Sequence, residues 1–404
     1  MDFLQALEEL KDVVGNSDTS RPIPYWLPTS LPNINIAVSG KADLGFPGGR
    51  IITIAGPESS GKTALMTELQ AQGQRQGGFA FLEDYEHAFH HGHAKAQGLA
   101  CDDDSPNWHY KRPLIAEEGF DVAFKIMRQI RASELGFKLP KYDKKDPSAA
   151  IREIRKKLVG VDMSKLVPIV GAMDSIASMI PEEQDIAYTD QNMKTKNMAA
   201  AMLLSTELKR MARDCGITGT TMILLNQLRN NPGIMFGDST TEPGGNPPKF
   251  YASIMIRLRR TAKWFSTYGD NKTEVIGDVV ELYVRKNKVA RPFKKTKYVF
   301  RTVDPVGLDL IGTMIMLGKE AGVLGPVDGA MMLWDGKKKR IGDFDAECRS
   351  SKPLRDELVK FVMGKVEAVV EGPILEDDDD TVGKTGAFAG ARPTSIPLVA
   401  SPPS

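Results

Sequence analysis

The sequence predicts an α/β fold with a central, mostly parallel sheet, and three observations point to it. The first is the octapeptide Gly56-Pro57-Glu58-Ser59-Ser60-Gly61-Lys62-Thr63, set between the apolar run Ile51 to Ala55 and the helix-favouring stretch Ala64 to Gln70. A strand leading through a Gly-rich turn into a helix is the context of a phosphate-binding loop. The second is the alternation of short apolar runs, Phe79 to Leu82, Ile169 to Met173 and Thr220 to Asn226, with amphipathic stretches long enough to be crossover helices. The third is that these runs end in polar groups, Glu83-Asp84, Asp174-Ser175 and Asn226-Gln227. In an open parallel sheet such positions face the ligand crevice.

At 404 residues the chain is long enough for about two folded units plus tails. No apolar run has the length of a membrane span, and the N-terminus is amphipathic and acidic where a secretion signal needs a basic start, so no membrane association is expected. Cys101, Cys215 and Cys348 lie far apart and form no metal-like pair; they are expected to be reduced thiols in a cytoplasmic protein. The net charge of +1 conceals segregation. Glu371 to Asp380 holds six acids and no base, which leaves +7 on the rest of the chain.

Taken in order, Phe3, Leu7, Leu10 and Val14 sit three or four residues apart and predict an amphipathic N-terminal helix. The Ser-, Pro- and Thr-rich stretch 16–32 then acts as a linker, so the helix is expected to pack on a neighbouring subunit. Segments 33–38 and 50–55 bracket a Gly-rich stretch and lead into the phosphate loop. There the backbone N–H groups converge on phosphate, Lys62 supplies a cation for the β- and γ-phosphates, and the Thr63 hydroxyl suits Mg²⁺. Gly383-Lys384-Thr385 lacks a preceding strand and has Asp378 where the first glycine should be, so it belongs to the tail. Beyond strand 79–82, the acids Glu83, Asp84 and Glu86 are candidates to orient the attacking water. His87, His90, His91 and His93 crowd together, but no further ligand set completes a metal site.

Phe120 to Ile130 has helical spacing. Residues 138–165 are rich in Lys and Arg and suggest an inserted lobe with a helix over 148–158. Asp174, capping an apolar strand, is the expected partner of Mg²⁺. A polar stretch from 180 to 197 carries Lys194 and Lys196 and is followed by a helix over 198–215. After the strand 220–226 comes Asn226-Gln227-Leu228-Arg229 and then a long segment, 230–248. It contains Gly233, Gly237, Gly244 and Gly245 around Met235-Phe236, a chemistry that suits a nucleic-acid contact or an active-site lid. Strand 278–284 continues into Arg285 to Lys288, where Lys286 and Lys288 share one face and can clamp a phosphate. From Gly307 the pattern changes to short helices and a hairpin-like 331–341, followed by an acidic and Pro/Ser-rich tail expected to be disordered.

In this ordered set the chain resembles the RecA-family recombinases. Residues 56–63 have the bacterial form of that family's phosphate loop. Asp84-Tyr85-Glu86-His87-Ala88 is similar to its Asp-Ala-Glu-His-Ala, and Asn226 to Arg229 to its Asn-Gln-Ile-Arg. Met235-Phe236-Gly237 and Gly244-Gly245-Asn246 are similar to its second DNA loop, followed by Lys249 to Ser253, and Lys286-Asn287-Lys288 with Pro292-Phe293 completes the series. The resemblance spans roughly residues 30–345. It implies a RecA-type ATPase core that binds ATP and Mg²⁺, with Gly56 to Thr63, Ala64 and His93 around the nucleotide. It implies further that Glu86 activates water, that Thr63 and Asp174 hold Mg²⁺, and that Gln227 senses the γ-phosphate. Lys286 and Lys288 would reach a neighbouring subunit's nucleotide, and Phe250 would lie at the subunit contact. The DNA-binding set would be Lys194, Lys196 and Arg229 with Met235, Phe236, Gly244, Gly245 and Asn246.

The resulting domain expectation is an N-terminal oligomerisation helix and linker (1–32), an ATPase core (33–305) with DNA loops at 180–198 and 230–248, a small α/β C-terminal domain (306–370) and a tail (371–404). The implied function is a DNA-dependent ATPase that forms filaments on single-stranded DNA, pairs it with double-stranded DNA and exchanges strands, aided by single-strand-binding or loader proteins. A ring-forming helicase or other motor of the same fold, and a non-catalytic DNA-binding relative, are the alternatives. His93 stands where the family has an adenine-stacking Tyr, and Pro247-Pro248 stiffens the exit of the second loop. With the insertion and the tail, these departures suggest a divergent, bacteriophage-type member working in a host cytoplasm.

Overall fold

The computed structural model describes residues 23–186, 193–230, 240–241, 247–266, 274–325 and 331–371. The expected N-terminal helix, the acidic run beyond Glu371 and the tail with Gly383 to Thr385 lie outside them. The first half comprises β1 (Trp26–Leu27), α1 (Pro32–Ser39), β2 (Phe46–Pro47), β3 (Ile51–Gly56), α2 (Lys62–Arg75), β4 (Phe79–Asp84) and α3 (His91–Ala96). These are followed by β5 (Trp108–Lys111), α4 (Ala116–Glu134), α5 (Ala149–Lys157), β6 (Ile169–Asp174), α6 (Glu182–Ile186) and α7 (Met193–Thr218). Next come β7 (Thr220–Gln227), β8 (Arg229–Asn230), β9 (Thr240–Thr241), α8 (Pro247–Tyr251), β10 (Ile254–Phe265), β11 (Val275–Asn287) and β12 (Lys294–Arg301). The C-terminal segment contains β13 (Gly307–Asp309), α9 (Leu310–Glu320), β14 (Met331–Trp334), β15 (Lys337–Arg340), α10 (Ile341–Ser350), α11 (Lys352–Lys365) and β16 (Val370–Glu371).

One sheet runs in the order β13-β12-β11-β10-β3-β7-β6-β4-β5, with β16 pairing to β12. Strands β10, β3, β7, β6, β4 and β5 are parallel to one another, whereas β11, β12 and β13 continue the sheet antiparallel. Strands β3 and β6 are buried at every position. That is why their sequences are uninterrupted apolar runs: a parallel strand covered by helices on both faces has no solvent side. Ile52, Ile54, Leu65 and Leu69 belong to one core on one face; Phe81, Phe120, Met127 and Leu208 belong to a second on the other.

Three segments take their character from the fold. The 33–38 stretch is helical: Pro32 opens α1, Ile34, Ala37 and Val38 are buried, and Gly40 ends it at φ 80°. The charged 138–165 segment packs on the core through α5, which buries Ile151 and Ile154 and lies against α4 and α7. The C-terminal segment has its own apolar cluster around Met314, Trp334, Phe344 and Leu358, and β13 and β16 join it to the main sheet.

Gly171 in β6 is a point of close packing in the second core. A Cβ there would lie 2.1 Å from Phe81 Cζ and 2.5 Å from Met222 Sδ. Both neighbours are fully buried, so they have nowhere to move. Gly171→Ala is therefore expected to destabilise the fold by about 1–3 kcal/mol in urea denaturation, and an unchanged midpoint would refute this packing.

Candidate active site

The parallel strands deliver their ends to one crevice. At the end of β3, Gly56 allows the loop to turn back: a Cβ there would sit 2.4 Å from Ser60 Oγ and 2.7 Å from the Leu258 carbonyl oxygen. Gly61, at φ 88°, starts α2 in a left-handed conformation that a β-carbon would strain. Lys62 Nζ donates to the carbonyl oxygens of Gly56 (3.1 Å) and Pro57 (2.9 Å), which holds the ammonium over the loop. Burial lowers the Lys62 pKa, opposed by the nearby carboxylates Asp174, Glu86 and Glu58.

A cavity of about 320 Å³ opens against the loop, lined by Ser59 to Ala64 on one side and by Phe89, His90 and His93 on the other. The His90 and His93 rings stack with centroids 4.1 Å apart, and His90 Nδ1 accepts from the His93 backbone N–H. This places His93 on the wall that faces the phosphate loop. Asp278, Val280, Phe300 and Thr302, from β11 and the end of β12, close the cavity; nothing in their sequence neighbourhood marks them. Among the described residues no cluster of His, Cys, Asp and Glu could hold a metal by itself. His90 and His93 are part of the cavity wall.

Glu86 is held by three side chains. Its Oε1 accepts from Ser175 Oγ at 2.5 Å, Ser178 Oγ at 3.4 Å and Gln227 Nε2 at 2.8 Å. The backbone N–H groups of Tyr85 and Glu86 donate to the Asp174 carbonyl oxygen at 2.7 and 3.1 Å. Asp84 fixes the loop from the other side: it accepts from the N–H groups of Glu86 and Phe89 and from Tyr110 Oη at 2.8 Å. The loop after β4 is thus tied to β6, β7 and β5 together, and the carboxylate has one position. Ser175 and Ser178 carry no motif of their own; a polar Ser-x-x-Ser directly after a strand-capping acid is the signal that could have found them.

Thr63 Oγ1 donates to Asp174 Oδ2 at 3.1 Å. Burial and the adjacent Glu86 push the Asp174 carboxyl up to about 7, and the Thr63 hydrogen bond and Lys62 oppose this only in part. Two hard oxygen groups side by side, in a crevice with more negative than positive charge, fit a divalent cation. The Asp174–Ser175 peptide bond is cis.

Other expected site residues lie apart from this cluster. Lys286 pairs with Met255 on β10, and Met255 pairs in turn with Thr53 on β3. That level lies roughly 10 Å before the end of β3, on the side away from the phosphate loop. Lys286 Nζ there donates to the carbonyl oxygens of Lys249 and Phe250, and Lys288 lines a cavity of about 310 Å³ with Phe250 and Tyr251. Phe250 is 67% exposed. Lys194 and Lys196 fall within α7, and Arg229 begins the two-residue ladder β8–β9 at the mouth of the 230–248 segment. Met235, Phe236, Gly244, Gly245 and Asn246 lie outside the described residues.

With this geometry in place, the RecA N-terminal domain family matches residues 28–129 and 143–302 of the chain. Protein RecA of Porphyromonas gingivalis is 30% identical over 80% of the chain and 82% of its own length. Protein RecA of Streptococcus uberis is 29% identical over 84% and 77%, and that of Corynebacterium urealyticum 29% identical over 88% and 82%.

Glu83, beside this cluster, gives a pH-dependent prediction. It is fully buried and neither carboxylate oxygen has a hydrogen-bond partner. Burial pushes it from 4.5 up to about 8, with Lys111 opposing. Because the folded-state value is the raised one, the neutral carboxyl's stability is fully present below pH 4.5 and is lost as pH rises through about 8. Glu83→Gln should remove that slope and be more stable than the parent by about 2–4 kcal/mol at pH 8.5 in denaturant melts. A parent stability that does not change across this window would contradict it.

Proposed function

The chain belongs to the RecA family of recombinases, and on that premise we propose that it is a DNA-dependent ATPase that assembles as a filament on single-stranded DNA and pairs it with a homologous duplex. The observation that carries this reading is the 2.8 Å hydrogen bond from Gln227 to Glu86. It joins the carboxylate suited to activate water to the last residue of β7, directly before the segment expected to touch DNA. A change in that segment can thereby alter the position of Glu86 without moving the sheet.

In this reading ATP lies along the phosphate loop with its base towards His93. Thr63 and Asp174 would hold Mg²⁺, which supplies neutralising charge at the β- and γ-phosphates. Lys62 leaves its two loop carbonyls for the phosphate oxygens. Glu86, oriented by Ser175, Ser178 and Gln227, positions the attacking water and takes its proton. Phosphoryl transfer depends on positioning and charge more than on covalent chemistry, so the rigid bonding of Glu86 is an asset.

Lys286 and Lys288 do not reach the nucleotide of their own chain, and their position favours a role on the next subunit's γ-phosphate. The exposed Phe250 beside them supports a subunit contact there. DNA contacts then belong to the 180–198 and 230–248 segments, including Lys194, Lys196, Arg229, Met235, Phe236 and Gly244 to Asn246.

Three experiments test the reading. ATP turnover measured with and without single-stranded DNA, alongside electron microscopy, should give stimulated turnover and helical filaments; closed rings or DNA-independent turnover would count against it. Gln227→Ala should keep nucleotide binding but lose most of the DNA stimulation, about tenfold or more. When Lys286→Ala and Glu86→Ala proteins are mixed, turnover should partly recover at mixed interfaces, and failure to recover at any ratio would rule out a shared site.

A further inference from the structure

A second cavity, of about 550 Å³, lies among the end of α2, the end of α3, the β12–β13 turn and the C-terminal helices. Four guanidinium groups line it, Arg75, Arg301, Arg349 and Arg355, against two carboxylates, Glu68 and Asp309. The formal balance at its wall is +4 − 2 = +2.

Both acids are already engaged. Asp309 caps α9 through the Gly312 N–H at 3.1 Å and accepts from Arg349 Nη2 at 3.0 and 2.8 Å. Glu68 accepts from the Ser30 N–H at 2.9 Å and stands 4.0 Å from Arg75. Arg349 is committed to Asp309 and Asp345, Arg75 Nη2 donates to the Gln97 carbonyl oxygen at 3.0 Å and Arg301 Nη2 to that of Asp304 at 3.1 Å, but Arg301 and Arg355 retain capacity. Arg301 is only 11% exposed, its Nη1 stays 3.9 Å from Asp309, and its Nε is buried without a hydrogen-bond partner. Arg355 is half-buried and has no ion pair among the described residues. An unpartnered buried donor costs free energy that a bound acceptor would recover.

We propose that this cavity binds a small phosphate-bearing anion, of the size of pyrophosphate or a nucleoside phosphate, as a site separate from the phosphate loop. Convergent guanidinium forks suit multivalent phosphate oxygens better than a single carboxylate, and the volume lies in the range of small-ligand sites. The cavity is open to solvent, so a free anion can reach the arginines directly. Gln97 lines both this cavity and the one against the phosphate loop. Helix α2 begins at Lys62 and ends at Arg75, so its two ends serve the two sites. Occupation of the Arg cavity would fix α2 against the C-terminal segment and act as a regulatory input to the nucleotide site.

Isothermal titration of the full chain with inorganic pyrophosphate tests this. Lys62→Ala disables the phosphate loop and should leave one pyrophosphate site. In that background Arg355→Gln, and separately Arg75→Gln, should weaken the remaining affinity at least about tenfold, the loss expected for one charge-assisted contact. Both side chains are partly exposed, which spares the fold, and circular dichroism verifies that each variant is intact. Loss of all pyrophosphate binding in Lys62→Ala, or affinity unchanged by both arginine substitutions, overturns the proposal. Weakened single-stranded DNA binding in Arg355→Gln with no pyrophosphate response overturns it in favour of a nucleic-acid phosphate contact.

Discussion

The hydrogen bond between Gln227 and Glu86 depends on three parallel strands ending at one level. Glu86 follows β4, Ser175 follows β6 and Gln227 closes β7, and the ladders that align them run without a break from Phe79↔Ile169 to Gly56↔Gln227. Parallel register is enforced by close packing on both faces, because a slip of one residue would exchange side chains between two differently packed cores. The position of one carboxylate is thus underwritten by the whole hydrophobic centre of the sheet. This is also why the tight packing at Gly171 matters to chemistry some distance along the strand.

Placing several acids at one edge has an electrostatic consequence. Asp84, Glu86 and Asp174 share a crevice whose nearest cation, Lys62, is bonded to carbonyl oxygens. Hydrogen bonds stabilise Asp84 and Glu86 as acceptors, whereas Asp174 receives one weak donor and feels its neighbours' charge. Burial raises its pKa first, and the charge of Glu86 adds to it. A cation at Thr63 and Asp174 would relieve it, so the same arrangement that is unfavourable in the bare protein favours binding of metal with nucleotide. Glu83 is different: it is buried one residue earlier on the opposite face of β4, and its cost has no such relief.

Much of this was legible in the sequence because it is local. The phosphate loop, the apolar strands with polar ends and the hairpin at 331–341 each occupy a few consecutive residues whose period or punctuation reveals them. Glu86 and Asp174 could be picked out because strand ends are predictable positions, whereas Gln227 is singled out through the family resemblance. The parts the sequence leaves open are those where long-range contacts decide. The 33–38 stretch contains β-branched residues, yet Pro32 and burial of one face against β12 make it helical. The charged 138–165 segment hides two buried isoleucines among its lysines and arginines. Ser175, Ser178 and Tyr110 reach the site through partners 26 to 92 positions away.

The two lysines at the end of β11 show why the site of one chain is incomplete as an idea. An antiparallel strand added beside a parallel one ends where its neighbour begins, so Lys286 and Lys288 must emerge on the side of the sheet opposite the phosphate loop. No rotamer of a lysine, about 6 Å long, spans that offset. Either these lysines have a purely local role at the Lys249 and Phe250 carbonyls, or their ligand belongs to another molecule. Assembly in a head-to-tail sense resolves the geometry naturally, since a heterologous contact brings one end of a subunit against the opposite end of the next. In the polymer proposed above, the strand directions that separate the lysines from the phosphate loop within one chain would bring them towards the phosphate loop of the neighbour.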